Sequence, residues 1–222
     1  MKTIFASIIL VGFSLSAIAG EPINRKINLL SSQSDGEKCY DEKTYIINVG
    51  IGLYSGYYAV SAGEKQTSSP YLNLSYEQPW PKKLGPGFLG VGAYFGYKTE
   101  KYVYNYNALN GSVYSGYYYE RRHSYYTIAG RATYHWHVLN TKKAEVYGGV
   151  LIGAHLNVYT YNDNDPNQNV YSKSVNPVSP YISPFVAARY YFTDNIGVFA
   201  EVGVHPHSHS SYHGTVGCSI KF

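Results

Sequence analysis

The chain has 222 residues and a formal charge of +4, and only 14% of it is charged, about half the usual share. The length suits one domain of moderate size. The mild charge, with no basic run, excludes a nucleic-acid partner, and beyond residue 20 no apolar run nears the ~18 residues of a helical membrane span.

The first segment opens with Lys2, continues as an apolar run from Ile4 to Leu15, and ends in Ala17-Ile18-Ala19. This order matches a secretory signal peptide over 1–19, cleaved after Ala19. No cysteine stands at the cleavage site, so no lipoprotein anchor is expected. Residues 20–43 are polar and aperiodic, with Pro22, Asp35, Gly36 and Glu37, and are expected to form a flexible periplasmic leader.

From Thr44 to Phe222 the pattern becomes alternation with period two, the mark of strands with two unlike faces. The first strand sets Ile47, Val49, Ile51 and Leu53 against Asn48, Gly50 and Gly52. The second sets Leu72, Leu74 and Tyr76 against Asn73, Ser75 and Glu77. The third sets Leu89, Val91, Ala93 and Phe95 against Gly90, Tyr94 and Lys98. The fourth sets Tyr126, Ile128, Tyr134 and Trp136 against Thr127, Arg131 and His135. The fifth sets Val146, Val150 and Ile152 against Tyr147 and Gly149. The sixth sets Val186, Ala188, Tyr190 and Phe192 against Arg189 and Tyr191. Pro180 and Pro184 predict that its upper end is bulged or already loop. The seventh sets Val198, Ala200 and Val202 against Gly197 and Glu201, and the eighth sets Val216, Cys218, Ile220 and Phe222 against Thr215, Ser219 and Lys221. Connections at 79–87, 138–143 and 193–195 are short, and those at 55–69, 99–122, 160–179 and 205–211 are mostly longer.

An even number of dyad-repeat strands, joined alternately by short and long connections, predicts an all-β fold: an eight-stranded antiparallel up-and-down transmembrane β-barrel over 44–222, with long extracellular hairpins. A soluble barrel would use the same alternation with its faces reversed. The polar face decides, because it carries glycines, tyrosines and six charges of both signs: Glu77, Lys98, Arg131, Arg189, Glu201 and Lys221. A water-facing sheet would be far denser in charge. These six are expected to line the barrel interior and pair there, since an unpaired buried charge is costly.

The hairpin FVAARYYFTDNIGVFAEVGV, from Phe185 to Val204, resembles the penultimate hairpin of small outer-membrane β-barrel domain proteins, the OmpA and OmpX type. The last strand, GTVGCSIKF, resembles the terminal signal of such barrels. The resemblance implies a place in the cell outer membrane, with Phe222 as the signal read by the barrel-assembly machinery. It does not imply an activity.

Several groups are candidates for chemistry. His205, His207, His209 and His213 form a His-rich tract that suits a transition metal, although no zinc spacing is matched and a solvated loop tip has the same composition. His207, Ser208, His209 and Ser210 offer the groups of an outer-rim lipid A hydrolase, without an assignable acidic orienter. Tyr102, Tyr104 and Tyr106 lead to Asn110-Gly111, a strong hairpin-turn signal, and Tyr114 and Tyr117 to Tyr119 return. Tyr159 and Tyr161 repeat the theme beside Asp163 and Asp165, whose spacing faintly suggests calcium. Arg121 and Arg122 at the rim suit lipopolysaccharide phosphates. Cys39 lies just before the first strand and Cys218 on the eighth, its neighbour at the barrel seam; a disulfide would staple the closure, but Cys218 is expected to face lipid and Cys39 would have to climb outside the wall to reach it.

The expected protein is a monomeric, non-enzymatic barrel without a cofactor. It would be a scaffold or adhesin whose tyrosine-rich hairpins meet an extracellular protein or glycan, with outer-membrane lipid and lipopolysaccharide around it. A narrow porin-like channel is the alternative, and the lipid A hydrolase a second.

Overall fold

The computed structural model describes residues 39–53, 64–105, 117–136, 139, 141–164, 171–175, 178–204 and 212–222. Ten strands run in order: β1 (Ile46–Leu53), β2 (Glu64–Ser68), β3 (Tyr71–Leu84), β4 (Gly87–Asn105), β5 (Tyr118–Trp136), β6 (Ala144–Asp163), β7 (Tyr171–Val175), β8 (Ser179–Tyr191), β9 (Ile196–Val204) and β10 (Tyr212–Lys221). Eight of them close a ring of antiparallel neighbours, β1-β3-β4-β5-β6-β8-β9-β10 and back to β1. Just before β1, the Tyr45 amide donates to the Phe222 carbonyl at 2.9 Å, and the Phe222 amide returns a bond at 3.0 Å. The chain end therefore ties down the seam.

Period-two alternation carries straight into burial. Along β8 the residues alternate exposed and buried from Pro180 to Tyr191, and β9 does the same from Ile196 to Val204. The exposed set is apolar: Val49 at 54%, Ile152 at 59% and Val202 at 57% lie on the outer wall. The buried set is polar or aromatic, and includes Asn48, Glu77, Arg131, Tyr147 and Glu201. Lipid is the medium that accepts such an outside, and the closed ring leaves no open edge within it. Aromatic residues gather on the outer wall toward the short-turn end, with Trp80, Trp136, Tyr190, Phe192 and Phe222 all exposed. Such rings favour the lipid–water boundary.

Three connections and one strand end differ from expectation. The link expected at 79–87 is mostly strand. β3 runs on to Leu84 past a register shift between Pro79 and Lys83, and only Gly85 and Pro86 turn. Gly85 takes φ of 60°, as a two-residue hairpin requires at its first central position. The upper end of β8 is neither bulged nor loop, since Ser179 to Pro184 pair in regular register with β6. Described pairing with β9 begins only at Phe185, and a strand with a partner on one side tolerates proline. The outer connections expected at 55–69 and 160–179 each contain a further short strand, β2 and β7. Both pair with parts of β4 and β6 that overshoot the barrel.

Close approach of neighbouring strands sets a strict limit at Gly92, where a Cβ would fall 1.8 Å from the Tyr76 carbonyl oxygen. Gly92→Val is expected to lower stability by about 1–3 kcal/mol, read from denaturant unfolding in lipid vesicles. Gly130→Ala, whose nearest neighbour would be the Ile152 carbonyl oxygen at 3.7 Å, is expected to leave the midpoint unchanged.

Candidate functional site

Two polar regions stand out, one inside the barrel and one above it. Inside, the Arg131 guanidinium crosses the lumen from β5 and donates from Nη2 to Glu201 Oε2 of β9 at 2.7 Å, while its Nε lies 3.5 Å from Glu77 Oε2 of β3. The Thr133 hydroxyl donates to Glu77 Oε1 at 2.9 Å. His135 places Nδ1 2.9 Å from Glu145 Oε2 and Nε2 against Glu77 Oε1. Arg189 donates to Glu145 Oε1 and, at 3.4 Å, to Asn48 Oδ1, which also accepts from the Ser219 hydroxyl at 2.6 Å. Three carboxylates thus meet two guanidinium groups and one imidazole. The His135 ring thus bridges two carboxylates, one at each nitrogen.

Aromatic rings complete the packing. Arg131 lies over the Phe185 ring at 4.2 Å and Arg189 over the Tyr147 ring at 4.5 Å. Tyr40 stacks on His135 with centroids 3.7 Å apart and planes 6° from parallel, and Tyr147 stacks on the same imidazole at 5.2 Å. Tyr40 is fully buried. The last residues of the expected leader therefore enter the barrel base and are part of its packing. Lys98 forms a second buried pair with Glu100 at 2.8 Å. Lys221 is half-buried, with its Nζ 4.6 Å over the Tyr191 ring.

Above the barrel, β2, β4, β5, β6 and β7 form one five-stranded antiparallel sheet. β4 and β5 have 19 residues each and β6 has 20, so their tilted length of roughly 60 Å exceeds what a ~25 Å apolar band needs. The sheet face that continues the lumen is aromatic. Tyr104 stacks on Tyr119 at 5.2 Å, Tyr119 on Tyr161 at 5.9 Å, and His123 meets Tyr159 at 4.9 Å. Arg121 lies on this face and donates to both Glu64 oxygens at 2.5 and 2.7 Å. It does not sit at the lipid rim as expected, because odd positions of β5 point inward; Arg122 does point outward. Burial, then Glu100, pushes the Tyr102 hydroxyl up to about 12, and burial with the Asp163 hydrogen bond does the same for Tyr161. Both stay neutral donors near pH 7.

Among the other expectations, His205, His207, His209, Ser208 and Ser210 lie outside the described residues, and only the backbone of His213 is placed, opposite Gly203. The Tyr106, Asn110-Gly111 and Tyr114 hairpin tip is also outside them. Asp163 is buried and accepts from the Tyr161 hydroxyl at 3.0 Å; Asp165 is not described. Among the described residues no cluster of metal-ligating side chains occurs. Cys39 and Cys218 are both free thiols on opposite sides of the wall, Cys39 buried and Cys218 exposed on the lipid face. No disulfide staples the seam. Glu145, Glu64 and Tyr40 are members of these clusters that the sequence pattern did not single out.

An apolar outer wall, a closed ring and a charge-paired lumen define this chain as a transmembrane β-barrel of the outer-membrane class, with the cell outer membrane as its place. No protein-family profile matches the chain, and no curated protein does. Among solved structures it is similar to Ail, the attachment invasion locus protein of Yersinia pestis, in complex with the heparin analogue sucrose octasulfate. That match has 11% identity, covers 82% of this chain and 100% of that one, and has a TM-score of 0.45. The N-terminal β-barrel domain of Pseudomonas aeruginosa OprF matches at 11% identity, 82% and 98% coverage and a TM-score of 0.42. OprG from the same organism matches at 14%, 86% and 99%, and 0.41. The class assignment rests on the barrel's own surface and lumen.

Removing one partner of a buried ion pair leaves the other charge stranded. Arg131→Leu is expected to cost about 3–5 kcal/mol, and Arg131→Leu with Glu201→Leu less than the two single losses combined. A double-mutant cycle on denaturant midpoints measures this. Burial, then the Glu145 carboxylate, pushes the Cys39 thiol up to about 12. Cys39 of the folded protein is therefore expected to resist alkylation at pH 8 and to label fully once unfolded, as read by mass spectrometry.

Proposed function

We propose that the barrel is a membrane scaffold that presents its projecting sheet to an extracellular protein or glycan. The observation that carries this is the sheet itself. Five strands continue above the lipid band, and one face of them displays Tyr104, Tyr119, Tyr159 and Tyr161 at intermediate exposure. Tyrosine supplies large contact area with few rotamers to immobilise, and a hydroxyl for hydrogen bonding. β7 adds a fully exposed strand, including Tyr171 at 67%.

The lumen supports a scaffold over a channel. Tyr147, Leu151, His135 and Tyr40 leave essentially no exposed surface there, and Arg131 spans from β5 to β9. The lipid A hydrolase reading has no support among the described residues, since its Ser and His groups lie outside them.

The triple variant Tyr104→Ser, Tyr119→Ser and Tyr161→Ser, displayed on cells, is expected to lose most binding to immobilised glycans and matrix proteins. Its barrel should keep the heat-modifiable gel mobility of the folded state. A wild-type protein that binds nothing in such panels, or a triple variant that binds equally, removes the reading. Planar bilayers holding the pure protein are expected to show no conductance steps, and regular steps would favour the narrow channel.

A further inference from the structure

The strand register sets the inner face of the projecting sheet in rows. One row is Glu64, Tyr104, Tyr119 and Asp163. The next is Gln66, Tyr102, Arg121, Tyr161 and Ser172. Gln66, Tyr104, Tyr119, Arg121 and Tyr161 are exposed or half-buried. The carboxylates of Glu64, Glu100 and Asp163 are buried among them.

Three tyrosine protons on this face are already committed. The Tyr119 hydroxyl donates to Glu64 Oε1 at 3.1 Å, Tyr102 to Glu100 Oε2 at 3.1 Å, and Tyr161 to Asp163 Oδ2 at 3.0 Å. A phenol has a single proton to give, so these oxygens act toward a ligand as acceptors. Each is polarised by the carboxylate it serves. Gln66 shows the use, since its Nε2 donates to the Tyr102 hydroxyl oxygen at 3.1 Å. The rings take cations as well. The Arg121 guanidinium lies 5.4 Å over the Tyr102 ring while donating to both Glu64 oxygens, within the range of cation–π attraction. The sheet thus holds one guanidinium of its own, by ring and carboxylate together.

The chain supplies no further cation to this face among the described residues. Glu64, Glu100 and Asp163 stand against Lys98 and Arg121, and both cations are matched, Lys98 to Glu100 and Arg121 to Glu64. The connections at the same end of the barrel, 54–63, 106–116, 165–170 and 205–211, contain neither lysine nor arginine. A ligand must therefore bring its own donors and positive charge. The matched pairs cancel at distance, so the attraction acts at contact. A neutral glycan can offer hydroxyl donors, but only a cation gains from the rings and the polarised oxygens at once. An anion would meet mostly acceptors.

We propose that the tyrosine face receives the arginine and lysine side chains of a basic protein segment. The proposal rests on the partner-binding reading and narrows the partner to a polypeptide of that charge. Arriving guanidinium or ammonium groups donate to the Tyr119 and Tyr161 oxygens and lie against the tyrosine rings, as Arg121 does over Tyr102.

The test uses the full folded protein in nonionic detergent and microscale thermophoresis. The probes are a Gly-Arg repeat peptide, the same peptide with citrulline in place of arginine, heparin, and a neutral dextran oligosaccharide. The arginine peptide is expected to bind several-fold tighter than its uncharged citrulline form, and the triple variant Tyr104→Ser, Tyr119→Ser and Tyr161→Ser should lose that difference. Arg121→Gln separates binding from packing. It removes the cation matched to Glu64, so affinity for the arginine peptide is expected to rise several-fold, whereas a merely structural Arg121 would lower it or leave it unchanged. Equal binding of the two peptides overturns the proposal, and so does a fall or no change in folded Arg121→Gln. Preference for heparin or dextran, lost in the triple tyrosine variant, overturns the basic partner and leaves the partner-binding reading in place. Should Arg121→Gln lose the heat-modifiable gel shift of the folded state, Asp163→Asn takes its place. It is expected to weaken the arginine peptide several-fold, and an unchanged affinity overturns the proposal.

Discussion

Hydrocarbon offers no partner to a backbone N–H or C=O, and this governs the rest of the molecule. Every strand inside the lipid band must have neighbours on both sides. The ring meets that demand where Tyr45 and Phe222 exchange backbone bonds beside the β1–β10 ladder. Closing at eight strands makes the lumen narrow, so inward side chains from distant strands meet across it. Because the outside is apolar, the alternating inside inherits the polar residues, and in that space each charge must find an opposite. The bridges from Arg131 to Glu201 and from Arg189 to Glu145 are therefore consequences of closure as much as supports for it. A salt bridge in a dry interior is weak evidence for net stability. Its firmer effect here is that one residue's loss strands another.

Above the lipid the constraint relaxes. Water satisfies open edges, so strands no longer need to close. Among the described residues β4, β5 and β6 run on to 19 or 20 residues, while β1 is described over 8 and β9 over 9. β2 and β7 then add to the flanks of the tall part. The result is an open sheet with two unlike faces, continuous with the barrel's inner and outer surfaces. The inner face inherits the lumen's aromatic and paired-charge character. The outer face inherits the lipid side's orientation but no longer its lipid contact.

The barrel was legible in the sequence because a two-residue period is a strong signal when one face must be apolar. The inward positions of Glu77, Lys98, Arg131, Arg189 and Glu201 follow from counting in twos along each strand. Glu145 carries no mark of its own because it stands one residue before Val146, where the apolar alternation of that strand begins, although the same parity reaches it. Arg121 escaped for a similar reason. It lies ten positions from Arg131 on one strand and so shares its face, but above the lipid no apolar pattern marks which face that is. Glu64 and Tyr40 had no signal at all. Each sits in a polar, aperiodic stretch and owes its burial to partners far away in sequence: Arg121 for the one, His135 for the other. β2 and β7 were hidden likewise, because a strand wetted on both faces need not alternate.

Arg121 and Arg122 show how far one residue of parity separates two environments. Arg121 turns inward, is matched by both Glu64 oxygens and contributes little field beyond the sheet. Arg122 turns outward, shares a single carboxylate with Lys101 and leaves the outer face with excess charge. Opposite charges a few ångströms apart cancel at distance, whereas an unmatched row does not. At physiological ionic strength the screening length is about 8 Å, close to the depth of the headgroup layer. Such a field reaches the adjacent lipid and little further. Contact through the tyrosine face has no such dependence, since it acts by hydrogen bonding and ring contact.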